Sequence, residues 1–476
     1  MPYFLGIDIG TTSTKAIAIT PDGQQLAIAR AAYPTLSPQS VYQEQEPQAL
    51  LQAVISVLKE VTKQTEARPE AISLSCAMHS LIVLDPSGQP LTNAILWSDR
   101  RSARQASQLR ASGEGTALYE ATGTPIHPMS PLCKLRWLQE EAPTLFQQAA
   151  RFVSIKEYIL LQLCQVHAVD YSIASATGLM DIQTLKWHAP ALAYAGIRED
   201  QLSPLVSPTH LLALKSKALP DNLQHVPVAV GANDGCLANL GALALSPEEW
   251  VLTIGTSGAI RRTSQASIVE PEAQIFNYRL DERYLVSGGA TNNGGIAFEW
   301  LGKLLGQERL SEAAAKKIPA GSEGLLFLPY LLGERAPIWD ASATGAFLGL
   351  RLNHSPAHLH RAVLEGVAFS LYHIAESMPA KPVQLIANGG FTHSPLWVQI
   401  IADVFGIPVR VDEQEEASAR GAAFVAMKAV GAIEDYEALL PLRKFSRQYQ
   451  PDLEKHRLYL DDFEAYKDVY RSRATR

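Results

Sequence analysis

The chain opens on an apolar run, Tyr3–Ile9, interrupted by a single carboxylate, Asp8, near its end, a pattern that predicts a buried strand. A cluster of small hydroxyl residues follows, and then a second strand is expected over Lys15–Thr20, closed by the turn Pro21-Asp22-Gly23. Between residues 48 and 63 the apolar positions Leu50, Leu51, Val54, Val57, Leu58 and Val61 recur with a helical period. Ala71–Ser75 and Ser80–Leu84 read as further strands before the turn Pro86-Ser87-Gly88. A mixed α/β domain therefore begins the chain. The stretch from about 100 to 225 is more helical, with Pro204, Pro208 and Pro220 marking loops. Val226–Val230 is a short apolar run ending in Gly231-Ala232-Asn233-Asp234-Gly235, and Trp250–Ile254 runs into Gly255-Thr256-Ser257-Gly258.

The strand–turn–strand unit at Val251–Arg262 echoes the one at Phe4–Ile19. The copies lie about half a chain apart, as expected for two similar α/β domains. The boundary is placed in Leu243–Glu249, giving domains 1–245 and 246–476. The end of the chain carries many Lys, Arg, Tyr and Asp at helical spacing, which predicts a closing helix with a solvated face.

Composition narrows the class. Of 476 residues, 47% are apolar and 19% charged, enough apolar content for a sizeable core and against extended disorder. Lys and Arg number 41 against 48 Asp and Glu, a net charge of −7, with no polybasic run, so a nucleic-acid partner is not expected. Cys76, Cys133, Cys164 and Cys236 are far apart and form no C-x-x-C pair, which favours scattered buried thiols over a disulfide framework or zinc ribbon. No basic, then apolar, leader opens the chain, and the longest apolar stretch, near Leu325–Leu332, is far below the ~20 residues of a membrane span. A cytoplasmic protein with no membrane partner is expected.

Five motifs carry candidate chemistry. In Asp8-Ile9-Gly10-Thr11-Thr12-Ser13-Thr14-Lys15, a strand-end carboxylate precedes a small-residue turn whose N–H and hydroxyl groups suit phosphate oxygens. Lys15 would add positive charge and Asp8 would hold Mg²⁺ through water, although an ordinary polar hairpin gives the same pattern. Thr253-Ile254-Gly255-Thr256-Ser257-Gly258 repeats the turn without the acid. No G-x-x-x-x-G-K-[ST] occurs, which excludes a P-loop. Asp234, in a Gly-rich break after a strand, suits a general base accepting a hydroxyl proton during phosphoryl transfer, or else a helix N-cap. Asn388-Gly389-Gly390-Phe391-Thr392-His393-Ser394 makes a strand–Gly-Gly–helix junction that a flat ligand such as adenine can approach, or a mere tight turn. It is not G-x-G-x-x-G, so a Rossmann dinucleotide site is disfavoured. Met78-His79-Ser80 with Trp97-Ser98-Asp99-Arg100-Arg101 suits a polyhydroxylated ligand, although a lone His or Trp is more often structural.

Together these motifs resemble the FGGY carbohydrate kinases of the actin/hexokinase-like superfamily. Met129-Ser130-Pro131-Leu132-Cys133-Lys134-Leu135-Arg136-Trp137-Leu138-Gln139-Glu140-Glu141 is similar to one family signature. Gly345-Ala346-Phe347-Leu348-Gly349-Leu350 with His358-Leu359-His360-Arg361-Ala362-Val363-Leu364-Glu365 is similar to the other. The resemblance implies two ribonuclease H-like α/β domains with the active site in the cleft between them, Mg²⁺ as cofactor and ATP as co-substrate. It implies Asp8 at the metal, Thr11, Thr12 and Lys15 at the first phosphate turn, Asp234 as catalytic base, and Gly255 and Thr256 at the second turn. Gly295 would lie on the ribose and adenine side, Gly389, Gly390 and Ser394 would clamp the nucleotide, and His79 and Trp97 would line the sugar pocket with Asp234. Ser80 departs from the Gly usual in xylulokinases and Gly235 from the Gln of glycerol kinases.

Within the family, the phrases Ala77–Ile82, Gly123–Leu132, Asp170–Leu179 and Asn292–Ile296 resemble gluconokinase-type members. The implied reaction is phosphorylation of D-gluconate at its C6 hydroxyl, with xylulose or ribulose as the alternative acceptor. A non-enzymatic ATP-dependent switch on the same fold is a more distant alternative. Arg100, Arg101, Lys134 and Lys156 are the candidate partners for the substrate carboxylate. A homodimer is the candidate assembly.

Overall fold

A computed structural model describes residues 2–65, 67–306, 311–414 and 416–474. It divides into two compact units. The first comprises Met1–Leu245, Ser264–Ser287 and Glu416–Arg443, and the second Ser246–Thr263, Gly288–Glu415 and Lys444–Arg476. Two segments from the second half of the chain thus belong to the first unit.

The first unit is built on a mixed sheet. Phe4–Ile9 pairs antiparallel with Ser13–Ile19, which pairs antiparallel with the edge strand Gln25–Ala32. On its other side Phe4–Ile9 runs parallel to Ala71–Cys76, which runs parallel to Pro227–Asn233. Leu211–Ala213 closes that edge. Apart from half-buried Asp8, every residue of Phe4–Ile9 is buried, which is why the strand reads as a continuous apolar run. Helix Pro47–Thr65 buries Leu50, Leu51, Val54, Val57, Leu58 and Val61, the face its period predicts, and these join one core with Leu5, Ile7 and Leu74. Each such side chain contributes roughly 1.5–3 kcal/mol on burial.

Helices Asp234–Gly241 and Ala417–Ala429 pack together in this unit, and glycine sets their approach. A Cβ on Gly241 would lie 1.9 Å from the Ala417 carbonyl oxygen and one on Gly421 2.1 Å from that of Leu237, while on strand Phe4–Ile9 a Cβ on Gly6 would lie 1.8 Å from the Ala419 oxygen of helix Ala417–Ala429. The edge strand Gln25–Ala32 escapes the sequence pattern, because its inward side chains are the small Ala27 and Ala29 while Leu26 and Ile28 face out. Ser80–Leu84 is expected as a strand, but only Ile82–Leu84 extends, because His79 takes a left-handed turn at φ +66° just before it.

The second unit repeats the opening arrangement. Glu249–Ile254 pairs antiparallel with Gly258–Ser264 and parallel with Gln384–Asn388, which is followed by Val409–Asp412 in parallel and Phe445–Tyr449 in antiparallel. The likeness extends to register. Asp8 lies opposite Ser75 in the first unit as Thr253 lies opposite Asn388 in the second, each one residue before the end of its strand. Helix Leu453–Ala474 is the closing helix the sequence predicts, and Tyr459, Phe463 and Tyr466 form its buried stripe. No helix among the described residues is long and apolar enough to cross a membrane.

Candidate active site

Two carboxylates stand at the carboxyl ends of the first unit's parallel strands, where open α/β sheets present ligand groups. Asp8 accepts a hydrogen bond from the Ser75 hydroxyl at 2.7 Å. Ile9 and Asn233 both lie opposite Cys76, one on each side of Ala71–Cys76. Asp8 and Asp234 are therefore two strand spacings apart, on the order of 10 Å. Burial above all, with the charges of Asp234 and Glu416 adding to it and Ser75 and Lys15 opposing, pushes the Asp8 carboxyl up to about 6. Gly231 permits the irregular approach before Asp234: its φ is +76°, and a Cβ would sit 1.9 Å from the Leu74 carbonyl oxygen.

The N-cap of helix Asp234–Gly241 is Asn233, whose side-chain oxygen accepts from the Cys236 N–H at 2.7 Å. Asp234 is thereby relieved of the capping duty that the sequence leaves open, and its carboxylate accepts from the Gly235 N–H at 2.8 Å.

The first turn is tied from two sides. The Gly10 N–H donates to the Ser13 carbonyl at 3.1 Å, and the Trp97 indole N–H donates to the Thr11 hydroxyl at 3.1 Å. Thr12 is exposed. The Lys15 ammonium lies 2.7 and 2.6 Å from the two carboxylate oxygens of Glu416, so its charge is paired within the unit.

His79 is buried, with Nδ1 2.7 Å from the Ala176 carbonyl and Nε2 3.0 Å from the Tyr278 hydroxyl. A carbonyl only accepts, so Nδ1 carries the proton and Nε2 accepts from the tyrosine. Of the four candidate cations, Arg101 is paired with Asp99 and Glu44 and lies 3.7 Å over the Tyr42 ring. Lys134 donates to three backbone carbonyls, and Lys156 is ion-paired with Asp170. Arg100 is exposed.

In the second unit, Gly255 and Thr256 are exposed at the turn, and the Gly255 N–H donates to the Ser257 carbonyl at 2.9 Å. The start of helix Gly295–Leu304 braces this turn: the Gly295 N–H donates to the Gly255 carbonyl at 2.7 Å and the Gly294 N–H to that of Thr256 at 3.1 Å. A Cβ on Gly295 would approach the Gly255 oxygen to 2.8 Å. The Thr253 hydroxyl donates to the Asn388 side-chain oxygen at 2.6 Å, the counterpart of the Ser75–Asp8 bond. Gly389 has φ +98°, and a Cβ there would lie 2.6 Å from the Ile254 carbonyl oxygen, whereas Gly390 is exposed and open. Ser394 caps helix Pro395–Phe405, accepting from the Trp397 N–H at 3.2 Å.

Sequence reasoning missed Ser75, Tyr278, Glu416 and Glu334. Buried Glu334 accepts from the Thr291 hydroxyl at 2.5 Å and the Asn292 N–H at 3.0 Å, steadying the approach to Gly294 and Gly295. None of the four carries a local signal, because each acts on a residue distant in the chain.

For a metal, the donor set is one strand-end carboxylate, Asp8, next to a turn rich in hydroxyls. That suits Mg²⁺, which keeps several waters and takes phosphate oxygens rather than an all-protein cage.

The family models for the FGGY family of carbohydrate kinases match residues 3–241 with the N-terminal domain and residues 250–430 with the C-terminal domain. The gluconokinase of Bacillus subtilis (strain 168) is 39% identical over 458 residues, covering 92% of this chain and 89% of that protein. Among solved structures, ligand-bound xylulose kinase from Lactobacillus acidophilus aligns with TM-score 0.95 and 32% identity over 100% of this chain and 99% of that one. Gluconate kinase from the same organism aligns equally well, with TM-score 0.95 and 32% identity over 99% and 98%. The paired α/β architecture expected from the sequence is thus the fold of known sugar kinases, and the chain, a phosphotransferase, belongs to the FGGY family of carbohydrate kinases.

Proposed function

We propose that this enzyme transfers the γ-phosphoryl group of ATP to the C6 hydroxyl of D-gluconate, giving 6-phospho-D-gluconate and ADP. The observation that carries the chemistry is Asp234, a strand-end carboxylate on the same sheet edge as Asp8 and released from capping by Asn233. Asp234 orients the C6 hydroxyl and accepts its proton as the new P–O bond forms and the bond to the β-phosphate oxygen breaks. Positioning and charge stabilisation dominate such transfers. Thr11, Thr12 and Lys15 of the first unit, and Gly255 and Thr256 of the second, offer donors to phosphate oxygens. Gly295, Gly389, Gly390 and Ser394 serve the nucleoside, and His79 and Trp97 the acceptor. Asp8 holds Mg²⁺, which neutralises charge on the phosphate oxygens.

Gluconate is favoured by the 39% identity to a gluconokinase over most of the chain. The equal structural likeness to a xylulose kinase supports the second reading, a ketopentose acceptor such as xylulose or ribulose. An ADP-release assay with Mg·ATP against gluconate, xylulose, ribulose, glycerol and no sugar separates the two. Turnover with gluconate far above the others is expected; xylulose or ribulose in first place would overturn the acceptor while keeping the chemistry.

A further inference from the structure

Lys134 is the fourth residue of helix Pro131–Glu141 and is 0% exposed. Both facts disfavour a cation there: burial costs charge solvation, and the first turn of a helix repels positive charge. Burial above all, opposed by Asp99 and aided by Arg101, lowers the ammonium pKa to about 7. What Lys134 gains is three carbonyl acceptors: His79 at 2.6 Å, Leu96 at 2.7 Å and Ile95 at 3.3 Å. Its three N–H donors match them one for one.

The acceptors are not scattered. One belongs to His79, held at φ +66°; another belongs to the residue directly before Trp97. The two segments are already paired, the Leu81 N–H donating to the Ile95 carbonyl at 3.0 Å and the Ile95 N–H to that of Leu81 at 2.9 Å. Lys134 fastens the end of that pairing from which both side chains project. On the far side of Trp97, Arg101 bonds Asp99, which also accepts from the Gln43 N–H at 2.7 Å.

We propose that Lys134 is a positioning residue of the acceptor pocket, its ammonium fixing the backbone of His79 and of the Leu96–Trp97 step so that both side chains meet the sugar correctly placed. This rests on the acceptor role given above to His79 and Trp97. It also accounts for a buried lysine whose charge is not available to a substrate carboxylate.

The test uses K134M in the full chain, a substitution of similar volume that removes the three ammonium donors, with K134Q, which keeps two N–H donors, as the companion if K134M does not fold. Kinetics are read with gluconate and with xylulose, and hydrogen exchange is followed across 78–82 and 94–99, with 253–258 as the reference. The acceptor KM should rise roughly tenfold to hundredfold while the ATP KM stays within about twofold, as loss of a supporting shell predicts. Exchange at 78–82 and 94–99 should quicken, with the reference unchanged. An unchanged acceptor KM with unchanged exchange at both segments, whatever happens to Tm, would overturn the positioning role. If wild type turns over neither acceptor, the functional reading falls, and the exchange data still decide the role of Lys134.

Discussion

A carboxylate that folding makes harder to ionise costs the molecule stability wherever it is charged. Asp8, raised to about 6 by burial and by the neighbouring charges of Asp234 and Glu416, binds a proton more readily folded than unfolded. Stability therefore falls as pH rises from the ordinary carboxylate range through about 6, and the penalty is fully present above it. The penalty amounts to about 3 kcal/mol as an upper bound. Asp8→Asn is thus expected to raise Tm at pH 8 and to abolish turnover. A thermal melt beside an activity assay checks both, and a lower Tm would contradict the electrostatic account. Asp234→Asn tests a different role: kcat should drop by about 10²–10⁴ with nucleotide binding intact. Near-wild-type kcat would remove Asp234 from the proton transfer. Some partners of these acids were illegible in the sequence. Ser75 meets Asp8 only through strand register, and Glu416 meets Lys15 across most of the chain's length.

Among the elements, what could be read depended on how locally the pattern is set. Both strand–turn–strand units announce themselves, because a buried strand is a short apolar run ending at small residues. The edge strand Gln25–Ala32 does not, since its larger side chains Leu26 and Ile28 are 40% and 41% exposed and its buried ones are alanines. Nor does any periodicity show that helix Ala417–Ala429 lies against Phe4–Ile9. The only trace is Gly6, where a Cβ would meet the Ala419 oxygen at 1.8 Å. Gly6→Ala must push strand and helix apart, and should cost about 1–3 kcal/mol of stability or more, read as a lowered Tm. A Tm equal to wild type would mean the contact is looser than described. In the second unit Gly389→Ala combines a φ of +98° with an approach of 2.6 Å to Ile254. Its expected signature is a raised ATP KM with the acceptor KM unchanged, since Gly389 is assigned to the nucleotide.

At the scale of the whole molecule, connectivity and structure do not coincide, and that has a consequence for any attempt to divide the chain. The sequence places its boundary near residue 245, yet the first unit also contains 264–287 and 416–443. Those segments complete its core. The Tyr119 hydroxyl donates to the Ile275 carbonyl at 2.8 Å, the Asn277 N–H donates to that of Gly123 at 2.8 Å, and Arg420 donates to that of Gly241 at 2.7 Å. His79, assigned to the acceptor, has its Nε2 3.0 Å from the Tyr278 hydroxyl, a partner that lies in one of those segments. A fragment of residues 1–245 would expose the glycine-lined face where Ala417–Ala429 packs, and would leave buried donors and acceptors without partners. Such losses, at ~1–3 kcal/mol for each buried polar group, compare with a total stability of only ~5–15 kcal/mol. The fragment should therefore show no cooperative melting transition by circular dichroism near the Tm of the full chain. Adding the fragment 246–476, which carries both missing segments, should restore that transition. Cooperative melting of 1–245 alone, within a few degrees of the full chain, would show that the returning segments are accessories rather than parts of the first unit's core.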